Sequence, residues 1–319
     1  MKTSFLHHQC GALASVLLLA AELTSAQGLP NVDRSAQSVS VPSITHKSDQ
    51  FLSQDGKQIT AHVFTVDLRR TRIEVHGARK LITRGLAQKG AGLSELATAV
   101  ARGRGTKQST NGPTLTLSGG NILSTPDSPM GWLVSNGEEL SPLDTRPSVF
   151  KSRDRDDVRA RECQAKSDAV GRRLGGILCI PKTSDTSASI ELTRVIEAGD
   201  RTRCRQAIQS LPVVVHPSDS SNGICRSEIE ADYSGAPISR SVVCVDGNGR
   251  MHFVLTAPSM LYPLAEWLRA PKGLNCKAAL NLVGDYFAAA QFSPGGKAST
   301  LLVGNQQVAQ ASMLFITSR

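Results

Sequence analysis

Ser148-Val149-Phe150-Lys151 has the Ser-x-x-Lys spacing in which a lysine amine activates a serine hydroxyl for attack on an acyl group. Its partner motifs do not support it. Lys182-Thr183-Ser184 lacks the glycine of a Lys-Thr-Gly segment and precedes Ser220-Ser221-Asn222, the reverse of the required order, so chance explains the spacing. No Gly-x-Ser-x-Gly, His-Glu-x-x-His or phosphate-loop pattern occurs, and the seven histidines are scattered. Asp246-Gly247-Asn248-Gly249 opens like a calcium loop, but the distal glutamate is missing and a hairpin turn accounts for it. Of seven cysteines, Cys10 lies in the N-terminal leader; the other six are Cys163, Cys179, Cys204, Cys225, Cys244 and Cys276. No two of these form a Cys-x-x-Cys pair, so disulfides are expected before a metal site, with the pairing left open. No metal ligand cluster and no cofactor motif is expected.

These residues need elements to hold them. Ile59 to Leu68 and Arg72 to His76 alternate apolar and polar residues and read as strands, with Leu93 to Ala101 a short amphipathic helix that Ser94 would cap. Thr114 to Leu117 and Gly131 to Val134 are short strands, the second closed by the turn Asn136-Gly137. Gly176 to Ile180, Ser189 to Val195 and Pro212 to Val215 follow as strands. Ser241 to Leu255 is the clearest local signal, two alternating runs about Asp246-Gly247-Asn248-Gly249. Tyr262 to Arg269 reads as a helix, Cys276 to Leu280 leads into a buried strand, and Thr300 to Val303 and Ser312 to Ile316 close the chain. Many strands with few short helices in mixed order predict an α+β fold with largely antiparallel sheets.

The 319 residues carry a net charge of +9, which raises a nucleic-acid partner. The basic residues are spread over many segments, Lys151 to Arg173 mixes both signs, and aromatics make up only 4% of the chain. No nucleic-acid partner is therefore expected. Residues 1–26 read as a secretory signal: Lys2, an apolar run from Cys10 to Ala21, then Thr24-Ser25-Ala26 before Gln27. Residues 27–50 read as a polar linker and 51–319 as the folded domain. No later uncharged run is long enough to span a bilayer, so a periplasmic or secreted protein without a membrane span is expected.

Several glycine-containing segments come in an ordered series. Val66-Asp67-Leu68 is followed by Leu93 to Leu96, Ser118-Gly119-Gly120-Asn121-Ile122 and Pro129 to Val134. Ala207 to Val215, Ser239-Arg240-Ser241 before the hairpin, and Cys276 to Leu282 before Val283-Gly284-Asp285 complete it. In this order and spacing the chain resembles the phosphodiester glycosidase family, of which the uncovering enzyme is typical. Ser118 stands where that family has Asn, Val283 where it has Asp, and Leu211 where it has Gly.

The resemblance implies an exported glycosidase-like hydrolase of sugar-1-phosphodiester or envelope polysaccharide linkages. Its alternative is a degenerate member that binds carbohydrate without catalysis. Glycosidic cleavage passes through an oxocarbenium-like state that a carboxylate stabilises or attacks. A phosphodiester leaves without a proton, so one carboxylate plus a cation on the phosphate suffices. Arg240 suits the cation, because a guanidinium holds two phosphate oxygens at once. Asp285 is the candidate carboxylate, on the expectation that it shares a strand face with Val283. Gly119, Gly120 and Gly284 would let backbone approach the sugar, with Ser118 and Asn121 beside it. Gln209 and Asn281 would bond sugar hydroxyls or satisfy buried backbone; both readings stand at this point.

Overall fold

Runs such as Ser241 to Cys244 and Ala278 to Leu282 are too continuous for a half-solvated sheet, and each becomes a strand buried on both faces. A computed structural model describes residues 42–104, 112–120, 123–125, 128–129, 131–144, 175–183, 186–218, 220–224, 237–295 and 299–319. The leader, Ser148 to Lys151, the mixed-charge stretch to Arg173, Asn121, Cys163 and Cys225 lie outside these residues.

Three sheets carry the fold. The first has six strands in the order β1 (Ile44–Leu52), β2 (Gln58–Val66), β14 (Met251–Ser259), β13 (Ile238–Asp246), β15 (Cys276–Gly284) and β12 (Val213–Val215). The second runs β10 (Ser189–Leu192), β9 (Gly176–Pro181), β11 (Cys204–Ser210), β7 (Leu133–Ser135) and β8 (Glu138–Ser141). The third runs β17 (Leu301–Gly304), β16 (Ala289–Ser293), β4 (Thr114–Ser118), β18 (Ser312–Ser318) and β3 (Thr71–Gly77). A two-stranded ribbon joins β5 (Leu123–Thr125) to β6 (Ser128–Pro129). Every strand pair among the described residues is antiparallel. The helices are α1 (Ala78–Thr83), α2 (Leu93–Gly103), α3 (Thr193–Ala198) and α4 (Leu261–Arg269). The fold class is α+β, strand-rich with few short helices, as the sequence predicts.

One core is shared by the inner faces of all three sheets. Phe64, Phe253 and Leu280 come from the first, Leu133, Leu178 and Ile208 from the second, Leu115, Leu117 and Leu314 from the third. Each outer face is then covered separately. The apolar stripe of α4 (Leu261, Leu264, Leu268) seals the first sheet, α1 and α2 seal the third, and Ile196 of α3 packs with Trp132 on the second. Two disulfides tie neighbouring strands. Cys179–Cys204 links β9 to β11 and Cys244–Cys276 links β13 to β15, with Cα atoms 5.5 Å and 5.8 Å apart. Such bonds persist in an oxidising compartment, and no helix among the described residues is long and apolar enough to cross a membrane.

Three local expectations are corrected. The stretch 27–50, expected as linker, ends as strand, because β1 starts at Ile44 and pairs with β2 over its full length. As an edge strand it buries Ile44 and Phe51 and leaves Lys47 and Asp49 in water, which is why it reads as polar. Ser94 does not cap α2. Gly92 does, where a Cβ would fall 2.3 Å from the Gln306 carbonyl oxygen, and the Ser94 hydroxyl donates instead to the Gln306 side chain. The strand expected over Ser189 to Val195 stops at Leu192, and Thr193 begins α3.

Candidate functional site

Arg240 sits near the start of β13, and the backbone geometry around it is irregular on both sides. Its Cα lies opposite Thr256 of β14 and Gly284 of β15, with a register shift before it on the β14 side and another just after it on the β15 side. Such bulges re-aim side chains. The result is a guanidinium with no exposure to solvent. Its Nε donates to the Ser259 carbonyl (3.4 Å), and its backbone N–H donates to Thr256 Oγ1 (3.2 Å), which is itself 3.0 Å from Ser259 Oγ.

The opposing strand ends at Gly284, whose backbone is extended. Asp285 does not continue it. It takes φ 60°, in the left-handed region that Asp tolerates better than most residues, and opens one turn of 3₁₀ helix, Asp285–Phe287. The alternation that would have placed its carboxylate on the face of Val283 is therefore broken. Asp285 is exposed, on a turn that packs against β13.

Ser118, the last residue of β4, holds the far side of that turn. Its buried hydroxyl donates to the Phe287 carbonyl (2.7 Å) and accepts from the Ala289 N–H (3.1 Å). Gln310 Nε2 donates to the same Phe287 carbonyl (3.2 Å). Beyond Ser118, the two glycines answer to close protein contacts. A Cβ on Gly119 would lie 2.1 Å from Ser312 Oγ, and one on Gly120 would lie 2.6 Å from Ile208 Cγ2 and 2.9 Å from Ser210 Cβ. Ser210 Oγ in turn donates to the Leu282 carbonyl (2.7 Å), two residues before Gly284.

Contacts thus join the ends of β4, β11 and β15 to the start of β13, and bring Ser118, Gly119, Gly120, Arg240, Gly284 and Asp285 into one neighbourhood. Gln209 and Asn281 have their polar groups turned to the backbone. The Gln209 Oε1 accepts from Trp132 N–H (2.8 Å) and Asp144 N–H (2.9 Å), and Nε2 donates to the Asp144 carbonyl (2.7 Å). Asn281 Nδ2 donates to the Leu211 carbonyl (2.9 Å), beside the cis Leu211–Pro212 bond. Asn121 lies outside the described residues. Ser210, Ser312 and Gln310, which hold these strand ends together, carry no local sequence signal of such contacts.

This fold is similar to that of a phosphodiester glycosidase. The catalytic domain of zebrafish N-acetylglucosamine-1-phosphodiester alpha-N-acetylglucosaminidase, auto-inhibited by its pro-peptide, aligns with 88% of this chain and 85% of its own, with a TM-score of 0.52 and 14% identity. A hypothetical protein from Synechocystis aligns with 87% of this chain and 62% of its own, at a TM-score of 0.49 and 14% identity. At such identity the likeness is one of fold. No protein family and no curated protein matches the sequence itself.

Proposed function

We propose that the protein is an exported hydrolase of a sugar-1-phosphodiester, or of a related phosphate-bearing linkage in an envelope polysaccharide. The observation that carries this reading is Arg240: a fully buried guanidinium set opposite Gly284 and beside the Asp285 turn. That guanidinium is closed to solvent here, so a phosphate reaches it only when the exposed Asp285 turn moves aside, and it can then hold two phosphate oxygens at once. In this reading Arg240 holds the phosphodiester oxygens. The Asp285 carboxylate faces the anomeric carbon, stabilising positive charge as the bond to the phosphate oxygen breaks. The phosphate departs as an anion and needs no proton, so a second carboxyl is not required. Water then adds to the sugar and gives up its proton to the Asp285 carboxylate, which passes it to solvent. The likeness of fold to a phosphodiester glycosidase domain supports the assignment of chemistry, and the two disulfides support an exported location.

A second reading, binding without catalysis, is favoured by one observation, the exposure of Asp285; it also fits the resemblance, in which Val283 stands where the family has Asp. Hydrolysis of a chromogenic sugar phosphodiester separates the two. Asp285→Asn is a clean variant, because Asn tolerates the left-handed backbone as well as Asp does. Under the hydrolase reading it lowers kcat by about a hundredfold or more, while Arg240→Lys raises KM for the phosphodiester. Turnover equal to the parent's in Asp285→Asn removes that carboxylate from the mechanism. Binding of the sugar phosphate that survives without turnover in the parent leaves the second reading.

A further inference from the structure

At the other end of the first sheet from Arg240, three side chains from three strands stand in hydrogen-bond sequence. Thr65 of β2 and His252 of β14 are cross-strand partners, and Asp246 closes β13 at the hairpin turn. Thr65 Oγ1 is 2.9 Å from His252 Nδ1, and His252 Nε2 is 3.2 Å from Asp246 Oδ2. The Asp246 carboxylate also accepts from the backbone N–H groups of Asn248 (2.8 Å) and Arg250 (2.9 Å) and from Arg250 Nε (2.7 Å).

This order fixes the proton positions. An ionised carboxylate only accepts, so His252 Nε2 carries the hydrogen, Nδ1 is bare, and the Thr65 hydroxyl donates to it. Burial would raise the Asp246 carboxyl, but the donors from Arg250, His252 and Asn248 outweigh it and keep Asp246 ionised below the usual range. Burial lowers His252, against the pull of Asp246, so its ring is neutral at pH 7. A hydroxyl, a neutral imidazole and an orienting carboxylate form the arrangement that nucleophilic acyl transfer requires. Two features make it usable. Thr65 is partly exposed, whereas His252 and Asp246 are buried and rigidly held, the strand opposite His252 being fixed by the Cys244–Cys276 bond. Lys47, opposite Val63 and so diagonal to Thr65, and Arg250 stand at this end of the sheet with exposed side chains, ion-paired to Asp49 and to Asp246. Lys47 would have to leave Asp49 to steady the oxyanion that forms when a carbonyl is attacked.

We propose that Thr65 Oγ1 is a nucleophile, activated by His252 and Asp246, and that it accepts the acyl group of a small carboxylic ester. The Thr65 oxygen bonds to the carbonyl carbon as its proton passes to His252 Nδ1. The tetrahedral oxyanion collapses, the ester C–O bond breaks, and the leaving alcohol takes the proton from His252. Water, deprotonated at the same nitrogen, then releases the acid and restores Thr65.

The test uses 4-nitrophenyl acetate on the full chain, reading the nitrophenolate burst and locating the acetyl group by peptide mass spectrometry. The expected result is a burst of about one equivalent, with acetyl on the peptide bearing Thr65. Thr65→Val, near-isosteric, and His252→Gln each slow it by about a hundredfold or more, and Thr65→Ser retains it. No burst, an unchanged burst in Thr65→Val, or acetyl found only on Lys47 or other amines overturns the proposal. Because the acetyl is located on the unaltered protein, the answer does not depend on how the variants fold. No sugar phosphodiester enters the assay, so its failure is distinct from failure of the hydrolase reading.

Discussion

Glu74 offers the sharpest quantitative test of the fold. It lies on β3 with its side chain 8% exposed, and three partners meet it: the cations Arg72 (Nε at 2.8 Å) and Arg104, and His76 Nε2 at 3.1 Å. Arg104 is the C-cap of α2 and lies over the Phe315 ring, 4.5 Å from its centroid, so this one carboxylate pins a helix end to the third sheet. Burial alone would raise the Glu74 carboxyl, but the bonds from His76 and Arg104, with their charges, hold it down at about 2 against an ordinary 4.5. That gap of roughly 2.5 units corresponds to about 3 kcal/mol at 1.36 kcal/mol per unit. A carboxylate with a depressed folded value stabilises above its unfolded value and loses that contribution as pH falls through 4.5 toward 2. Glu74→Gln should therefore cost about 3 kcal/mol at pH 7, and roughly three-fifths of the difference from the parent should vanish by pH 3. Urea denaturation of both chains at pH 7, 5, 4 and 3, disulfides intact, measures it, since other carboxylates cancel in the difference. A variant within about 0.5 kcal/mol of the parent at pH 7, or a difference that stays constant down to pH 3, refutes the reasoning.

Three further predictions rest on packing and cross-links. Replacing Cys244 and Cys276 together by Ala opens a loop spanning 32 positions, and chain entropy sets the loss at about 3–4 kcal/mol, read as a lower urea midpoint than the parent's. Gly119→Ala drives a Cβ into Ser312, including its backbone oxygen at 2.8 Å, and should cost about 1–3 kcal/mol by thermal denaturation. An alanine chain as stable as the parent would mean that β4 and β18 separate more easily than this. Gln209→Leu removes the partner of the buried Trp132 N–H and of the half-buried Asp144 N–H and carbonyl, for about 1–3 kcal/mol, and should release protection of the Trp132 and Asp144 amides in hydrogen exchange. Unchanged exchange at Trp132 would show that another acceptor takes over.

The sequence was most informative where structure is made locally. The hairpin about Asp246 to Gly249 was legible because its turn is closed by its own residues, the Asp246 side chain accepting from Asn248 and Arg250 two and four positions on. Asn136-Gly137 was legible for the same reason, both residues taking positive φ. What failed depended on partners far along the chain. Thr193 starts a helix where its N–H meets the Gly175 carbonyl and its hydroxyl meets Gln209, neither visible from the run Ser189 to Val195. At the site, the approach of Ser118, Arg240 and Gly284 was readable only as an ordered series of motifs. The roles of Gln209 and Asn281, whose amides bond backbone 65 and 70 positions away, could not be separated before their partners were known. The Asp285 turn was hidden because a residue after a strand can continue the pleat or reverse it, and Ser118, far upstream, helps decide which.

The place of β18 has a consequence in time. Residues 312–318 lie between β4 and β3 in the third sheet, so the final stretch of the sequence fills an interior position, with Arg319 donating through its side chain to the Thr71 carbonyl at 2.8 Å. Until those residues leave the ribosome, β3 and β4 have no common neighbour, and the apolar faces of Leu115, Leu117, Ile73 and Val75 stay uncovered. Pairings this distant in sequence close late and slowly. Until residue 318 is made, β3 and β4 therefore stay unjoined and need shielding from their counterparts in other copies.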